Sequence, residues 1–231
     1  MSNLNDQARF YSDDFLGFDL RLIRSAFERY SEFFHGDSCL EVGCSVGHMT
    51  EYLKDAFPYV TALDGSSEAL NYMKDWPNVV KVHSLIEEFR PKEKYSTIVA
   101  NHFLEHVSDP VAVLKKMRGM LVAGGVLIVG VPNAKSWHRL AAVKIGLLDS
   151  EYQLNGRDEI LGHYRVYDRA SLHEQVQLAG LSIKAEGGLL MKFLPNSMMI
   201  DLSEEVILAY ERLSYDYGDN GAEIFVVCTV D

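Results

Sequence analysis

A glycine-containing turn between two acidic residues is the segment with the most evident chemical potential. Gly43 and Gly47 follow the short apolar run CLEV and precede a helical pattern, and Glu41 lies two positions before the first glycine. Such a turn lets the backbone approach a ligand closely, and the helix beyond it offers free N–H groups. Asp64 ends the next apolar run, where a carboxylate can accept hydrogen bonds from a ribose diol. Together these residues predict a nucleoside site at the carboxyl edge of a doubly wound sheet.

The sequence of the turn, EVGCSVG, bears on the kind of ligand. It does not meet the dinucleotide pattern G-x-G-x-x-G, and an acid beside the first glycine is unfavourable for a pyrophosphate. The same acid suits a ligand that carries an ammonium and a sulfonium group. A plain strand–helix turn, with Asp64 as a helix cap, is the structural alternative.

Histidine and glutamate side chains form a second group of interest. His102, Glu105 and His106 lie in NHFLEHV, and His163 lies later, in GHYRVY. A histidine near its unperturbed pKa is suited to general-base catalysis at neutral pH. The same residue types on one helical turn could bind a divalent metal. A purely structural role at a helix start is the third interpretation, and the pattern leaves all three open.

The elements that must position these residues alternate along the chain. CLEVG, YVTALD, NVVKVHS, YSTIVANHF and VLIVGVP predict strands, and MTEYLKDAF, SSEALNYMKDW and DPVAVLKKMRGML predict helices between them. Strands that alternate with helices indicate a parallel sheet with right-handed crossovers. AKSWHRLAAVKIGLL predicts a further helix, followed by a polar loop around Gly156 and Gly162, and RASLHEQVQLAGL another helix. LSIKAEGG and EIFVVCTV predict the last two strands, with a helix between them.

We therefore predict an α/β fold: a Rossmann-like, doubly wound, mostly parallel seven-stranded sheet with an N-terminal helical lid and a C-terminal helical insertion. No Gly/Ser/Pro-rich linker divides the chain, so one domain is expected over 1–231. Its parts are N-terminal helices or a lid (1–36), a cofactor-binding core (38–132), and an acceptor insertion with the last strands (133–231).

Composition excludes several classes of protein. The 231 residues carry 33 acidic and 22 basic side chains, a net charge of −11, which argues against a general nucleic-acid binder. No apolar run reaches the roughly 18 residues of a membrane span, and the N-terminus does not resemble a secretory signal. Three scattered cysteines predict a reducing, cytoplasmic location. The oligomeric state is left open.

Three sequence blocks carry a family resemblance. LEVGCSVGHMTEYL, TALDGSSEAL and FLEHVSDPVAVLKKMRGMLVAGGVLIVGVPN resemble the signature blocks of class I S-adenosylmethionine-dependent methyltransferases. The branch that resembles them most includes the ubiquinone-pathway O-methyltransferases. The resemblance is close from Ser38 to Asn133 and extends to the remainder in layout. One departure is Ser45, which stands where the usual loop has its middle glycine.

The resemblance implies S-adenosylmethionine as cofactor, S-adenosylhomocysteine as product and a small-molecule acceptor, methylated on oxygen rather than nitrogen. It places Glu41 near the cofactor's amino group and Asp64 on the ribose hydroxyls. The residues implied to bind the cofactor are Glu41, Gly43, Cys44, Ser45, Gly47, Asp64, Gly65, Ser66, Leu85, Ile86, Glu87, Asn101, His102 and Phe103. An NAD-dependent oxidoreductase on a similar fold and a catalytically silent cofactor-binding protein are the alternatives.

The histidine-containing segment also resembles a known motif. Some ubiquinone-pathway O-methyltransferases and small-RNA 2′-O-methyltransferases carry a metal-binding E-x-x-E-H, whose first glutamate is His102 here. A divalent metal on His102, Glu105, His106 and His163 is therefore one hypothesis. Catalysis by His106, His163 and Glu105 as base or acceptor contacts is the other.

The acceptor is expected to contact the insertion. Residues 133–169 hold six basic and five acidic side chains, so this segment is +1 and the rest of the chain is −12. A locally basic, aromatic-bearing stretch suits an anionic or sugar-like acceptor, although a solvated helix face explains it as well. We expect Arg139, Tyr164 and Arg165 to reach the acceptor, with Tyr11 from the N-terminal lid. Core packing explains the N-terminal aromatics equally well.

Overall fold

Seven strands form one mixed sheet in the computed structural model, which describes residues 17–230. The strands are β1 (Ser38–Val42), β2 (Tyr59–Asp64), β3 (Val79–His83), β4 (Tyr95–Asn101), β5 (Leu121–Pro132), β6 (Ser182–Leu189) and β7 (Glu223–Thr229). Their order is β3-β2-β1-β4-β5-β7-β6. Neighbouring strands pair in parallel except β7, which is antiparallel to both β5 and β6. The predicted Rossmann-like, mostly parallel seven-stranded sheet is confirmed.

Helices connect these strands as the alternating pattern predicts. Within the described residues they are α1 (Asp19–Ser31), α2 (Thr50–Ala56), α3 (Ser67–Tyr72), α4 (Pro110–Gly119), α5 (Trp137–Lys144), α6 (Gly156–Leu161), α7 (Arg169–Leu178), α8 (Asn196–Met199) and α9 (Glu204–Asp216). Side-chain caps set several of the helix starts. Ser66 accepts a hydrogen bond from the Ala69 N–H at 3.1 Å, and Asp109 accepts one from the Ala112 N–H at 3.0 Å.

The structure differs from the sequence prediction in the insertion. A helix, α6, stands where a polar loop is predicted, because Asn155 and Asp158 form a reciprocal capping box at its start. Gly162 ends it in the left-handed region, at φ +75°. Strand β5 also begins earlier than predicted, at Leu121 instead of Val126, since Leu121 already pairs with Tyr95 of β4.

Both faces of the sheet are covered by helices. One apolar cluster packs α4 and α7 against the sheet, and a second packs α1 and α2 against the other face. Phe18, predicted as either packing or lid, is buried with Leu22, Met199 and Ile207. The other N-terminal aromatics with that prediction, Tyr11 among them, lie outside the described residues. From residue 17 to residue 230, no helix has the length and apolar character needed to cross a bilayer.

Candidate active site

One cavity of about 600 Å³ lies at the carboxyl edge of the parallel strands. Residues that follow β1 to β5 line one part of it, and residues of α1, of the insertion and of the β6–α8 connection line the other. Of the residues predicted to bind cofactor, all but Gly47 line this cavity. The sheet topology explains this, because parallel strands deliver their carboxyl ends to a common edge. The roles of these residues stay predictions.

The turn after β1 requires its glycines. Gly43 has φ +75°, and a Cβ atom there would lie 2.6 Å from the Phe103 ring. Gly47 has φ +91°, and its Cβ would lie 2.7 Å from Met73 Cγ. Ser45, the departure from the family pattern, also adopts a positive φ, of +50°. Gly47 therefore shapes the turn and its packing, whereas Gly43 and Ser45 line the cavity.

Glu41 is a buried carboxyl group that faces the cavity. Its side chain accepts a hydrogen bond of 2.5 Å from the Thr50 hydroxyl, and the residue is 4% exposed. Burial raises the pKa of Glu41 to about 8, opposed by the Thr50 hydrogen bond and supported by the charge of Asp64. A buried carboxyl of this kind fits a ligand that brings its own ammonium group.

Asp64 occupies the position expected for a ribose-binding acid, at the end of β2. One carboxylate oxygen accepts from the Ser45 N–H at 2.7 Å and the other from the Ser66 N–H at 2.8 Å. These bonds fix the carboxylate and leave each oxygen a lone pair for a ligand hydroxyl. Burial raises the pKa of Asp64, and the two N–H groups oppose that rise. In the part of the cavity that follows β3, Ile86 is buried and Leu85 is exposed.

His102 is held between two buried glutamates. Its Nε2 lies 2.7 Å from Glu223 Oε1 and its Nδ1 lies 3.4 Å from Glu105 Oε1. Burial lowers the pKa of His102, but the two carboxylates outweigh it and raise the pKa well above its ordinary value. The backbone at His102 is in the left-handed region, at φ +51°. The two carboxylates thus favour the charged form of His102 and fix its position at the end of β4.

The other histidines form a separate group. Glu105, His106 and His163 offer ligand atoms that all lie within 4.8 Å of one another, without His102. The two imidazole rings meet edge to face at 4.6 Å. Burial lowers the pKa of His106 to about 4, and His163 and His102 lower it further against Glu105. Of the four residues in the metal hypothesis, the structure thus brings three together, and His102 lies beside Glu105 but pairs more closely with Glu223.

His163 has the contacts of an oriented base. Its Nδ1 lies 3.0 Å from Asp158 Oδ1, and its side chain lines the cavity. Asp158 is held in turn by the Asn155 N–H at 2.9 Å and lies 3.5 Å from Arg139. A carboxylate on one imidazole nitrogen fixes the ring and leaves the other nitrogen for proton transfer.

The residues predicted to bind acceptor differ in their surroundings. Tyr164 is 55% exposed at the cavity edge. Arg165 does not line the cavity: its guanidinium donates to the carbonyls of Leu104, Val107 and Ser108. The guanidinium of Arg165 thus supports the loop after β4, and its predicted acceptor contact stays a prediction.

The guanidinium of Arg139 likewise makes its hydrogen bonds within the protein. Its guanidinium donates to the carbonyls of Glu151 and Gln153 and lies beside Asp158, and the residue is buried. It lines the cavity, but its hydrogen bonds hold the insertion together. Its predicted contact with the acceptor stays a prediction.

Several cavity residues are missed by the sequence analysis. Glu223 begins β7, and Lys192 follows β6. Because β7 is antiparallel, its first residue lies at the same edge as the last residues of β5 and β6. No local sequence pattern predicts that Glu223 and Lys192 lie at this edge. For Asp158, the N-x-x-D spacing of a capping box is a signal that could have been found.

Comparison with known proteins agrees with this geometry. The family model described as a methyltransferase domain matches residues 15–186. The ubiquinone biosynthesis O-methyltransferase of Xanthomonas euvesicatoria pv. vesicatoria is 26% identical over 191 residues, 76% of this chain and 75% of the relative. That of Haemophilus ducreyi is 28% identical over 130 residues, and this match spans only 53% of the relative.

Solved structures share the fold. A protein from Thermotoga maritima, described as a possible histamine N-methyltransferase, matches with a TM-score of 0.74 and 19% identity over 99% of both chains. The N-methyltransferase NodS of Bradyrhizobium japonicum, solved with S-adenosylhomocysteine, gives a TM-score of 0.59 and 15% identity. That match covers 95% of this chain and 89% of the other.

Proposed function

Because the chain belongs to the class I S-adenosylmethionine-dependent methyltransferases, we propose that it methylates an oxygen atom of a small-molecule acceptor. The observation that carries this proposal is the single cavity that joins the loops after β1 and β2 to the Asp158–His163 pair. Donor and acceptor can then lie in the same cavity. The ubiquinone biosynthesis relatives, which are named as O-methyltransferases, support oxygen over nitrogen.

The cofactor end of the cavity is assigned to the glycine turn and the acids around it. Glu41 would hold the cofactor's ammonium group, and Asp64 would accept hydrogen bonds from the ribose hydroxyls. Leu85 and Ile86 would flank the adenine ring. S-adenosylmethionine supplies a methyl group that its sulfonium already makes electrophilic, so the protein must chiefly align donor and acceptor and remove a proton.

His163 is the proposed general base. Asp158 orients its ring, and the cavity gives an acceptor hydroxyl access to it. His106 is a weaker candidate, because burial lowers its pKa to about 4 and so reduces its basicity at neutral pH. Glu105 is fully buried and does not line the cavity, so it acts through His102 and the two other histidines.

A divalent metal is the alternative to a histidine base. The grouping of Glu105, His106 and His163 fits the donor chemistry of such a site, but the Asp158–His163 pair accounts for the same geometry without one. We therefore propose a metal-independent proton transfer. Full methyl-transfer activity in the presence of a chelator is the expected result.

A single domain is proposed to carry the whole reaction, since cofactor and acceptor residues surround one sheet edge. The oligomeric state is not part of this proposal. A cytoplasmic location is kept as a prediction from the cysteine usage.

Binding and turnover test the proposal in two steps. S-adenosylhomocysteine should stabilise the protein against heat, by about 2.7 kcal/mol at a hundredfold excess over its dissociation constant, whereas NADH should not. Methyl-labelled S-adenosylmethionine is then incubated with a panel of phenols, hydroxy acids and sugars, and label transfer is measured. Stabilisation by NADH would contradict the donor assignment, and label on nitrogen alone would contradict the O-methyl proposal.

A further inference from the structure

Lys192 is a cationic side chain in the acceptor end of the cavity that the proposed reaction does not yet use. It is partly buried and lines the cavity. Its ammonium group makes no hydrogen bond and no ion pair with any residue from 17 to 230. A lysine in such a place is costly unless an anion meets it, because burial removes the water that would otherwise solvate its charge.

The backbone around Lys192 is held firmly. Leu190 adopts a positive φ, of +47°, and its carbonyl accepts from the Ala222 N–H at 2.8 Å. Met191 donates to the Tyr210 carbonyl at 3.0 Å, and the Lys192 carbonyl accepts from the His138 N–H at 3.1 Å. A left-handed leucine fixed by its neighbours is a strained conformation of the kind that clusters at functional sites. The lysine is thus placed at the cavity wall by three surrounding elements.

The acids that face Lys192 already have other partners. Asp19 accepts from Asn196 Nδ2 at 2.7 Å and pairs with Arg157. Glu223 pairs with His102 at 2.7 Å. Arg157, Arg139 and His138 complete the charged and titratable groups that act on the lysine. Since the acids are engaged, the ammonium remains available to a ligand.

We infer that Lys192 binds a carboxylate group on the acceptor, so that the acceptor is a small organic acid with a hydroxyl group at the other end. This inference rests on the proposed function, because it assigns a class to the same acceptor. Arg157 is paired with Asp19 and Arg139 with Asp158, so one unpaired ammonium meets the ligand, and it matches the single charge of a carboxylate better than the double charge of a phosphate. The favoured anion is therefore a carboxylate.

The pKa of Lys192 gives a second prediction, which can be tested without any variant. Burial lowers the pKa of Lys192 to about 8, with Asp19 and Glu223 raising it and Arg157 and Arg139 lowering it. The ammonium is thus present at pH 7 and is lost as the pH rises through about 8. Affinity for a carboxylate should fall over that range, whereas affinity for an uncharged analogue should not.

The experiment compares 4-(hydroxymethyl)benzoate with its primary amide, which differ only in the carboxylate and whose hydroxyl group does not ionise between about pH 7 and about pH 9. Dissociation constants are measured by calorimetry on the full chain saturated with S-adenosylhomocysteine. The acid should bind the wild type about 10- to 100-fold more tightly than the amide, as expected for a charge-assisted hydrogen bond. Lys192→Gln should remove that advantage and leave the amide unchanged. Lys184→Gln, at an exposed lysine of β6 outside the cavity, is the matched control.

Clear outcomes would overturn the inference. The inference would be wrong if acid and amide bound equally to the wild type, or if neither bound. It would also be wrong if Lys192→Gln lost affinity equally for both. An acid affinity that is flat between about pH 7 and about pH 9 would contradict it without any variant. Binding of S-adenosylhomocysteine is measured in the same samples. If that binding is intact, the failure concerns Lys192 and not the proposed methyltransferase function.

Discussion

At the scale of single residues, the site contains buried ionisable side chains. Some of them pair with a charged group of the protein, and others are open to a charged ligand. Glu41 has a hydroxyl group as its hydrogen-bond partner, and the pKa of its carboxyl rises to about 8 because of burial. His102 has two carboxylates and becomes more basic. Burial by itself raises the pKa of Glu41 and lowers that of His102, but the two carboxylates beside His102 outweigh burial there, so the pKa of both groups rises.

Glu41 should make the ligand-free protein less stable as the pH rises. The folded-state pKa lies above the ordinary value of 4.5, so the protonated carboxyl stabilises the fold below about pH 4.5 and this contribution is lost as the pH rises to about 8. Glu41→Gln should therefore be more stable than wild type at pH 8 by roughly 2–4 kcal/mol. Urea denaturation at pH 4.5 and pH 8 checks this, with the exposed Glu88→Gln as control. Equal stability at both pH values would contradict the buried acid.

The same residue should make cofactor affinity depend on pH. If the carboxylate of Glu41 holds the ligand's ammonium, binding of S-adenosylhomocysteine releases a proton, and affinity rises by up to about tenfold per pH unit below pH 8. Glu41→Gln should bind more weakly and without this slope. Calorimetry in two buffers of different ionisation enthalpy reports the released proton directly. A wild type that releases no proton would rule out this role.

His163 should be needed for turnover and not for cofactor binding. With Asp158 orienting its ring, His163→Gln should lower kcat by about 10²- to 10⁴-fold, the usual contribution of a general base. The matched control is His173→Gln, since His173 also pairs with a carboxylate, that of Glu186, but lies outside the cavity. The dissociation constant of S-adenosylhomocysteine should be unchanged in both variants. Undiminished kcat in His163→Gln would remove it from the mechanism.

At the scale of secondary-structure elements, the short helices α5 and α6 of the insertion line the side of the cavity that is proposed to bind the acceptor. Helix α6 has only six residues, so it depends on its ends for stability. Asn155 caps its start, Gly162 ends it, and Asp158 ties the helix to His163 and Arg139. The element that positions the proposed base is therefore among the less intrinsically stable ones in the fold.

Removal of the α6 cap should weaken acceptor binding selectively. Asn155→Ala loses the hydrogen bonds to the N–H groups of Arg157 and Asp158 and should cost about 1 kcal/mol. Amide exchange in 156–161 should accelerate, and acceptor KM should rise while S-adenosylhomocysteine affinity stays constant. Asp109→Ala removes a comparable cap from α4, outside the cavity, and should leave acceptor KM unchanged. An equal rise of KM in both variants would contradict the proposed link.

At the scale of the whole molecule, α1 is coupled to the sheet beneath the active site. Tyr30 is fully buried, donates a 2.7 Å hydrogen bond to Asn101 at the end of β4, and packs against Phe225 of β7. This contact depends on Gly130 of β5, where a Cβ atom would collide with the Tyr30 hydroxyl and the Asn101 amide. Helix and strands thus position Asn101 jointly.

Gly130→Ala tests that coupling. The added methyl group has no room, so the free energy of unfolding should fall by about 1–3 kcal/mol, and binding of S-adenosylhomocysteine should weaken as Asn101 shifts. Gly119→Ala, where a Cβ atom meets nothing within 4 Å, should be neutral or slightly stabilising. Urea denaturation and calorimetry measure both effects. A Gly130→Ala protein as stable as the wild type would show that α1 is free to move away.

The charge distribution is also a property of the whole molecule. The chain carries −11, yet residues 133–169 are +1, and the residues that line the acceptor end include the cations Arg157 and Lys192. The predicted anionic acceptor is retained, but the side chain now assigned to it is Lys192. Arg165, which the charge count had favoured, supports a loop.

The sequence by itself determined the alternating strands and helices and the cofactor end of the site. Glu41, the glycine turn and Asp64 follow directly from strand ends, because each is adjacent in the chain to the element that positions it. Local patterns suffice where chain neighbours are also spatial neighbours. The prediction of β1 to β4 and of the crossover connections between them therefore needs only local sequence patterns.

Only the tertiary structure decided the acceptor end. Glu223 reaches His102 because β7 runs antiparallel between β5 and β6, and Lys192 reaches the cavity because β6 ends at the same edge. Arg139 and Arg165 turn inward to backbone carbonyls that lie 12 to 61 positions away in the chain. Side chains separated in this way meet only through long-range packing. Spacing along the chain cannot report which charges remain unpaired once that packing is complete.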